Sequence, residues 1–167
     1  MRYAEGPTAE ATIHVSAPPE VLWTLVSDIH LVASLSREVQ EVAWIDDVRE
    51  PAVGAAFTGR SRHPQVGEWT TMSRVVACDP PRVFAWAVED PDDPSAVWRF
   101  ELTPSGGGTE LRQRARMGPG FSLLCEAIAS MPDKEERIVA GRLREWQAAI
   151  EANLAALKEL AEVRARA

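Results

Sequence analysis

Apolar and polar residues alternate from Thr8 to Ser16, with Ala11, Ile13 and Val15 on one side and Thr12 and His14 on the other. That period of two predicts a half-buried strand. The pattern then turns helical, because Val21, Leu22, Leu25 and Val26 recur at helix spacing behind Ser16-Ala17-Pro18-Pro19-Glu20. There a serine suits the cap, proline the first turn and glutamate the positive helix end. A short helix ending near Ser27-Asp28 is expected, and Ile29 to Leu35 predicts a second. From Glu38 to Met117 the period returns to two in six segments, at 38–46, 55–62, 68–78, 82–88, 96–103 and 109–117. The breaks between them carry turn chemistry: Pro51 and Gly54, Pro64 to Gly67, Asp79-Pro80-Pro81, Pro91 to Pro94 and Ser105-Gly106-Gly107-Gly108. Short connections of this kind imply an antiparallel meander.

The last third opens with Gly118-Pro119-Gly120 and a short apolar piece from Phe121 to Met131, and Pro132-Asp133 marks a stop and restart. From about Lys134 to Val163 a long helix is expected. Val139, Leu143, Trp146, Ile150, Leu154, Leu157 and Ala161 recur at gaps of three and four, a stripe that needs a sheet to lie on. Strand, two short helices, six strands and a long helix make an α+β fold of about seven strands, read as one domain over residues 1–167 with its core at about 9–162.

A chain of 167 residues that is 46% hydrophobic and 26% charged belongs with globular proteins and is long enough to bury a core. Its net charge of −7 repels phosphate backbones, so nucleic acid is excluded as an expected partner. The alternating Arg112, Arg114 and Arg116 read as a solvated strand face, with Arg99 and Glu101 within cross-strand reach. Two cysteines, Cys78 and Cys125, form neither a disulfide framework nor a CxxC or Cys/His set, so no metal or cofactor is expected and a reducing cytoplasm fits. No run approaches a signal peptide or a membrane span.

The order of Ile13-His14-Val15-Ser16-Ala17-Pro18-Pro19-Glu20-Val21-Leu22-Trp23, Val53-Gly54-Ala55-Ala56-Phe57, Trp69 before Arg74-Val75, Asp79-Pro80-Pro81-Arg82, Trp98-Arg99-Phe100-Glu101-Leu102, Gly108-Thr109-Glu110-Leu111 and Asn153-Leu154-Ala155-Ala156-Leu157-Lys158 resembles the START-like superfamily. That superfamily holds bacterial polyketide cyclases and dehydrases, birch-pollen-type allergens and lipid-transfer domains. The resemblance implies a helix-grip fold, in which a curved sheet wraps the C-terminal helix around a cavity. It supplies no catalytic motif to carry over, because one fold hosts unrelated activities.

Alternation places Phe57, Gly59 and Ser61 on one face, and likewise Trp69, Thr71, Ser73 and Val75; Phe84, Trp86 and Val88; Trp98, Phe100 and Leu102; and Leu111, Gln113, Ala115 and Met117. A one-residue bulge would invert any of these assignments. The expected ligand-binding set is Phe57, Ser61, Trp69, Thr71, Ser73, Trp86, Trp98, Phe100, Gln113, Met117, Phe121 and Trp146. Six tryptophans in this chain offer rings that either line a cavity or fill it. Phe121 to Met131 reads as a gate, as a short packing helix or as a homodimer interface.

Catalytic candidates are few. His14, His30 and His63 read as surface histidines, Tyr3 lies in the N-terminal tail, and Arg60, Arg62, Arg74, Glu68 and Glu145 would enter a cavity only if the strand register slipped by one. The polar groups expected inside, Ser61, Thr71, Ser73 and Gln113, orient a molecule but do not titrate near neutrality. GxSxG, HExxH and phosphate-loop motifs are absent from the sequence. The expected function is binding of a hydrophobic, aromatic or polyketide-like small molecule; the alternative is a polyketide cyclase, aromatase or dehydratase acting in the same cavity.

Overall fold

The computed structural model describes residues 1–167. After a 3-10 turn at Tyr3–Glu5, the chain forms β1 (Thr8–Val15), α1 (Pro19–Val26), α2 (Ile29–Leu35), β2 (Val39–Trp44), β3 (Ala56–His63), β4 (Gly67–Asp79), β5 (Val83–Val88), β6 (Ala96–Ser105), β7 (Gly108–Met117), α3 (Leu123–Ser130) and α4 (Glu135–Arg166). The seven strands make one antiparallel sheet in the order β1-β7-β6-β5-β4-β3-β2, so β1 joins the far end of the meander and every other neighbour is a hairpin partner. This is the expected helix-grip architecture.

Two details differ from the sequence reading. The first helix begins at Pro19 with Pro18 at the cap position and no side-chain cap; the backbone amide of Ser16 instead donates to the Glu162 carboxylate on α4. Tyr3 belongs to the packed body. It is 8% exposed, its ring covers Gly118, and its hydroxyl donates to the Gly120 carbonyl at 2.8 Å. Gly118 takes a positive φ of 66°, and a Cβ there would collide with the Tyr3 ring, so only glycine permits the close approach.

Register shifts mark bulges at Gln40 in β2 and Val76 in β4. A bulge sharpens local twist and bends its strand, which helps curl the sheet around α4. Because the second shift falls after Val75, it leaves the alternation of Trp69, Thr71, Ser73 and Val75 intact and turns Cys78 to the same side as its partner Phe84.

The core is uneven. Along β1, β6 and β7 the concave side is dry: Val15, Phe100, Leu111 and Ala115 are at 0% exposure and pack with Leu22, Ile150, Leu154 and Leu157. Each such aliphatic side chain contributes about 1.5–3 kcal/mol on burial. On the β2–β5 side, Phe57, Val75 and Phe84 are buried with Ile29 of α2, whereas Val42, Trp44, Gly59, Trp69, Thr71 and Trp86 on the same face are only half-buried. The long helix α4 packs along β1 and β7, whereas the β2 edge is covered by the shorter α2.

Candidate functional site

Strand pairing fixes which side chains share the concave face. Phe57 is opposite Ser73, Gly59 opposite Thr71 and Ser61 opposite Trp69; Val75 faces Trp86, and Trp86 faces Trp98. Phe100 is opposite Gln113, and Ala96 opposite Met117. Every alternation read from the strands therefore lies on one surface. The indoles of Trp86 and Trp98 stack at 6.5 Å with an interplanar angle of 13°, and Trp98 meets Trp146 of α4 at 5.0 Å. Phe57 sits edge-on to both Trp44 and Trp86. All six tryptophans are half-buried, whereas Phe84 and Phe100 are sealed at 0%. Trp44, Trp69, Trp86 and Trp98 thus share the concave face, with Trp146 of α4 packed on Trp98 and Trp23 of α1 edge-on to Phe84.

Polar groups are sparse on this surface. The Ser61, Thr71 and Ser73 hydroxyls make no hydrogen bond to protein, yet no fully buried polar atom is left without a partner, so each hydroxyl faces accessible space. Gly59 lies beside Thr71, where an added Cβ would come no nearer than 3.6 Å. Deeper in, the buried Asn153 of α4 donates from Nδ2 to Gln113 Oε1 at 3.2 Å. That leaves one NH2 group with both hydrogens, the second hydrogen of the other and one carbonyl oxygen uncommitted, whichever way the two amides are turned. The sequence reading missed Asn153. It falls three residues after Ile150 and four before Leu157, and that stripe position is the signal that would have found it.

The other expected site residues lie apart from the opening. Phe100 is in the dry core, Met117 is buried with Tyr3 and Val139, and Phe121 is 66% exposed outside every hydrophobic cluster. Leu124, Cys125 and Ile128 pack α3 down onto that Tyr3 group.

Among ionisable groups, Arg60, Arg62, Glu68 and Arg74 are exposed on the convex side. Arg112 pairs there with Glu10 and Glu101, as the strand pattern predicts for a solvated face. His63 departs from the surface reading. It continues the Phe57-Gly59-Ser61 row to the rim of the cup, its side chain is only 14% exposed, and Nε2 lies 3.4 Å from Glu145. The amide of Gln65 donates to Nδ1, so Nε2 carries the proton and both ring nitrogens are occupied.

Glu38, His63 and Glu145 offer three possible metal-ligand atoms within 4.8 Å of one another. Arg142 already bridges the two carboxylates, to Glu38 at 2.6 and 2.9 Å and to Glu145 at 2.6 Å, so the cluster is built as an ion-pair network. Burial opposes the Glu145 charge, but the hydrogen bonds from Arg142 and His63 and the charge of Arg142 outweigh it and hold the carboxyl below its usual range. Burial likewise opposes the Arg142 charge, and its two carboxylate partners overcome it.

No helix is long and apolar enough to cross a membrane. A comparison with curated proteins finds no match. Among solved structures, the Polyketide_cyc-like protein Cgl2372 from Corynebacterium glutamicum is 29% identical with a TM-score of 0.67, over 95% of this chain and 93% of that one. The di-domain ARO/CYC StfQ from the steffimycin biosynthetic pathway superposes with a TM-score of 0.73 at 19% identity, over 96% of this chain and 52% of that one, so this chain spans about half its length. Ara h 8.0201 has a TM-score of 0.56 at 15% identity, over 91% of this chain and 97% of that one. The last two share the fold, and residues 7–162 match the family described as polyketide cyclase / dehydrase and lipid transport. With sheet, grip helix and sequence pattern in agreement over nearly its whole length, the chain belongs to that family.

Proposed function

We propose that the open half of the cup binds a flat, hydrophobic small molecule of aromatic or polyketide-like chemistry. The observation that carries this reading is the set of half-buried indoles, Trp69, Trp86, Trp98 and Trp146, beside three hydroxyls on the same concave face that no protein group uses. Indole faces stack against flat ring systems, and a few placed hydroxyls and amides orient carbonyl or phenol oxygens, the usual economy of a small-molecule pocket. Ser61, Thr71, Ser73, Gln113 and Asn153 supply those polar groups.

The family assignment and the rim position of His63 favour a second reading, in which the same cavity performs cyclase, aromatase or dehydratase chemistry. Proton transfer there needs a group that reaches the substrate. His63 is the candidate, and it serves only once Nε2 is released from Glu145. Binding without turnover of a poly-β-carbonyl substrate favours the carrier reading, and turnover abolished by His63→Gln favours the enzyme.

The test is thermal unfolding with 1,8-dihydroxyanthraquinone or naringenin, read beside quenching of tryptophan fluorescence. At about 100 times the dissociation constant, ligand adds roughly 2.7 kcal/mol and raises the midpoint by about 5–11 °C. Gly59→Leu, which projects side-chain volume beside Thr71, abolishes the shift while the unliganded protein keeps its fold. Absence of shift and quenching across aromatic polyketides, flavonoids, sterols and fatty acids overturns the pocket reading.

A further inference from the structure

On the β2–β4 side, α4 and the sheet are joined by side chains. The Arg142 guanidinium grips both Glu38 oxygens just ahead of β2, at 2.6 and 2.9 Å. One turn along the helix, Glu145 receives Arg142 at 2.6 Å and His63, from the end of β3, at 3.4 Å. Three parts of the chain thereby meet at the rim of the cup, where β2 begins and β3 ends. The network is only partly open to water, with Arg142 at 19% and His63 at 14% side-chain exposure. It also rests on the pocket wall: Arg142 sits 5.9 Å from the Trp146 ring centroid, and Trp146 packs on Trp98.

We infer that Glu38, Arg142, Glu145 and His63 form a latch across the pocket mouth, and that its opening sets the rate at which a ligand enters and leaves. This rests on the pocket proposed above and concerns the control of the same site. The physical case has two parts. First, α4 packs along β1, β7 and the other helices but not along β2–β5, so on this side it meets β3 through side chains, with α2 lying against both α4 and β2. Second, ion pairs suit a reversible closure, because separated partners regain hydration at little net cost, whereas parted apolar surfaces do not. Opening the latch also frees the cationic cover over Trp146, so the mouth and the tryptophan wall loosen together.

A latch that closes equally over empty and occupied pockets changes rates and leaves affinity alone. Stopped-flow tryptophan quenching by 1,8-dihydroxyanthraquinone therefore tests it, on wild type, Arg142→Met and the conservative Glu38→Gln. Both variants raise the association and dissociation rate constants together by about ten-fold, with the dissociation constant held within about two-fold, as expected when the open fraction alone changes. Wild type responds in the same direction when salt is raised to about 1 M, where screening acts over roughly 3 Å, which keeps the test available if a variant fails to fold. Normal binding by wild type with rates unchanged in the variants and in salt overturns the latch and leaves the pocket standing. Loss of affinity with unchanged association rates does the same, and assigns these residues to direct ligand contact. Failure of wild type to bind overturns the pocket and the latch with it.

Discussion

Tyr3 shows how much one side chain can organise. Its hydroxyl reaches the Ser95 and Gly120 carbonyls and the Ser122 hydroxyl, and its ring fills the corner that the Gly118 backbone leaves. Burial above all raises its ionisation, to about 12 from an ordinary 10.0. The folded state therefore keeps the phenol proton through a range where the unfolded chain has lost it. Stability from this residue is fully present below pH 10.0 and drains away as pH climbs towards about 12. Tyr3→Phe leaves the Gly120 carbonyl without its hydroxyl donor, while Ser95 keeps the Gly118 amide, and costs about 1–2 kcal/mol near neutrality. Urea unfolding across this range checks both statements: the gap between wild type and Tyr3→Phe narrows as the medium becomes alkaline. Nothing in the sequence pattern marked this residue, because its partners lie more than ninety positions away.

At the level of elements, the join between α4 and β7 contains one polar stitch, Asn153 to Gln113, in a surface otherwise made of Ile150, Leu154, Leu157, Leu111 and Ala115. Replacing one partner strands the other, at a cost of about 1–3 kcal/mol, while replacing both with apolar residues of similar shape recovers most of it. Asn153→Leu alone is thus expected to lower stability, and the Gln113→Met/Asn153→Leu pair to lie close to wild type, by denaturant titration of all four proteins. If the deep amides serve the ligand, the restored double variant still binds 1,8-dihydroxyanthraquinone more weakly. The strands and grip helix were legible because their periods of two and three-to-four run unbroken through Trp69 to Val75 and Val139 to Ala161. The role of His63 was not. Its row on β3 could be extrapolated from Phe57, Gly59 and Ser61, but its partner Glu145 lies 82 residues on, and only the curl of the sheet brings them together.

Across the whole molecule, the main sealed core and the proposed ligand surface fall on different parts of the sheet. The dry half holds the helix against β1 and β7, and the open half carries the tryptophan wall and unused hydroxyls. Leu157→Ala in the first is expected to cost about 2–5 kcal/mol. Thr71→Val in the second removes a hydroxyl that no protein atom uses, so stability should change by under about 0.5 kcal/mol while ligand affinity falls. Paired melting and quenching curves read both effects, and a large stability loss from Thr71→Val would refute the separation.

That separation has a consequence for descent. On the proposed reading, substitutions at the half-buried Trp69 or Thr71 would change ligand recognition while leaving the core of Val15, Phe100 and Leu111 untouched. A shape held by buried contacts rather than by particular surface side chains can persist through wide sequence change, and the fold shared with Ara h 8.0201 at 15% identity is such a case.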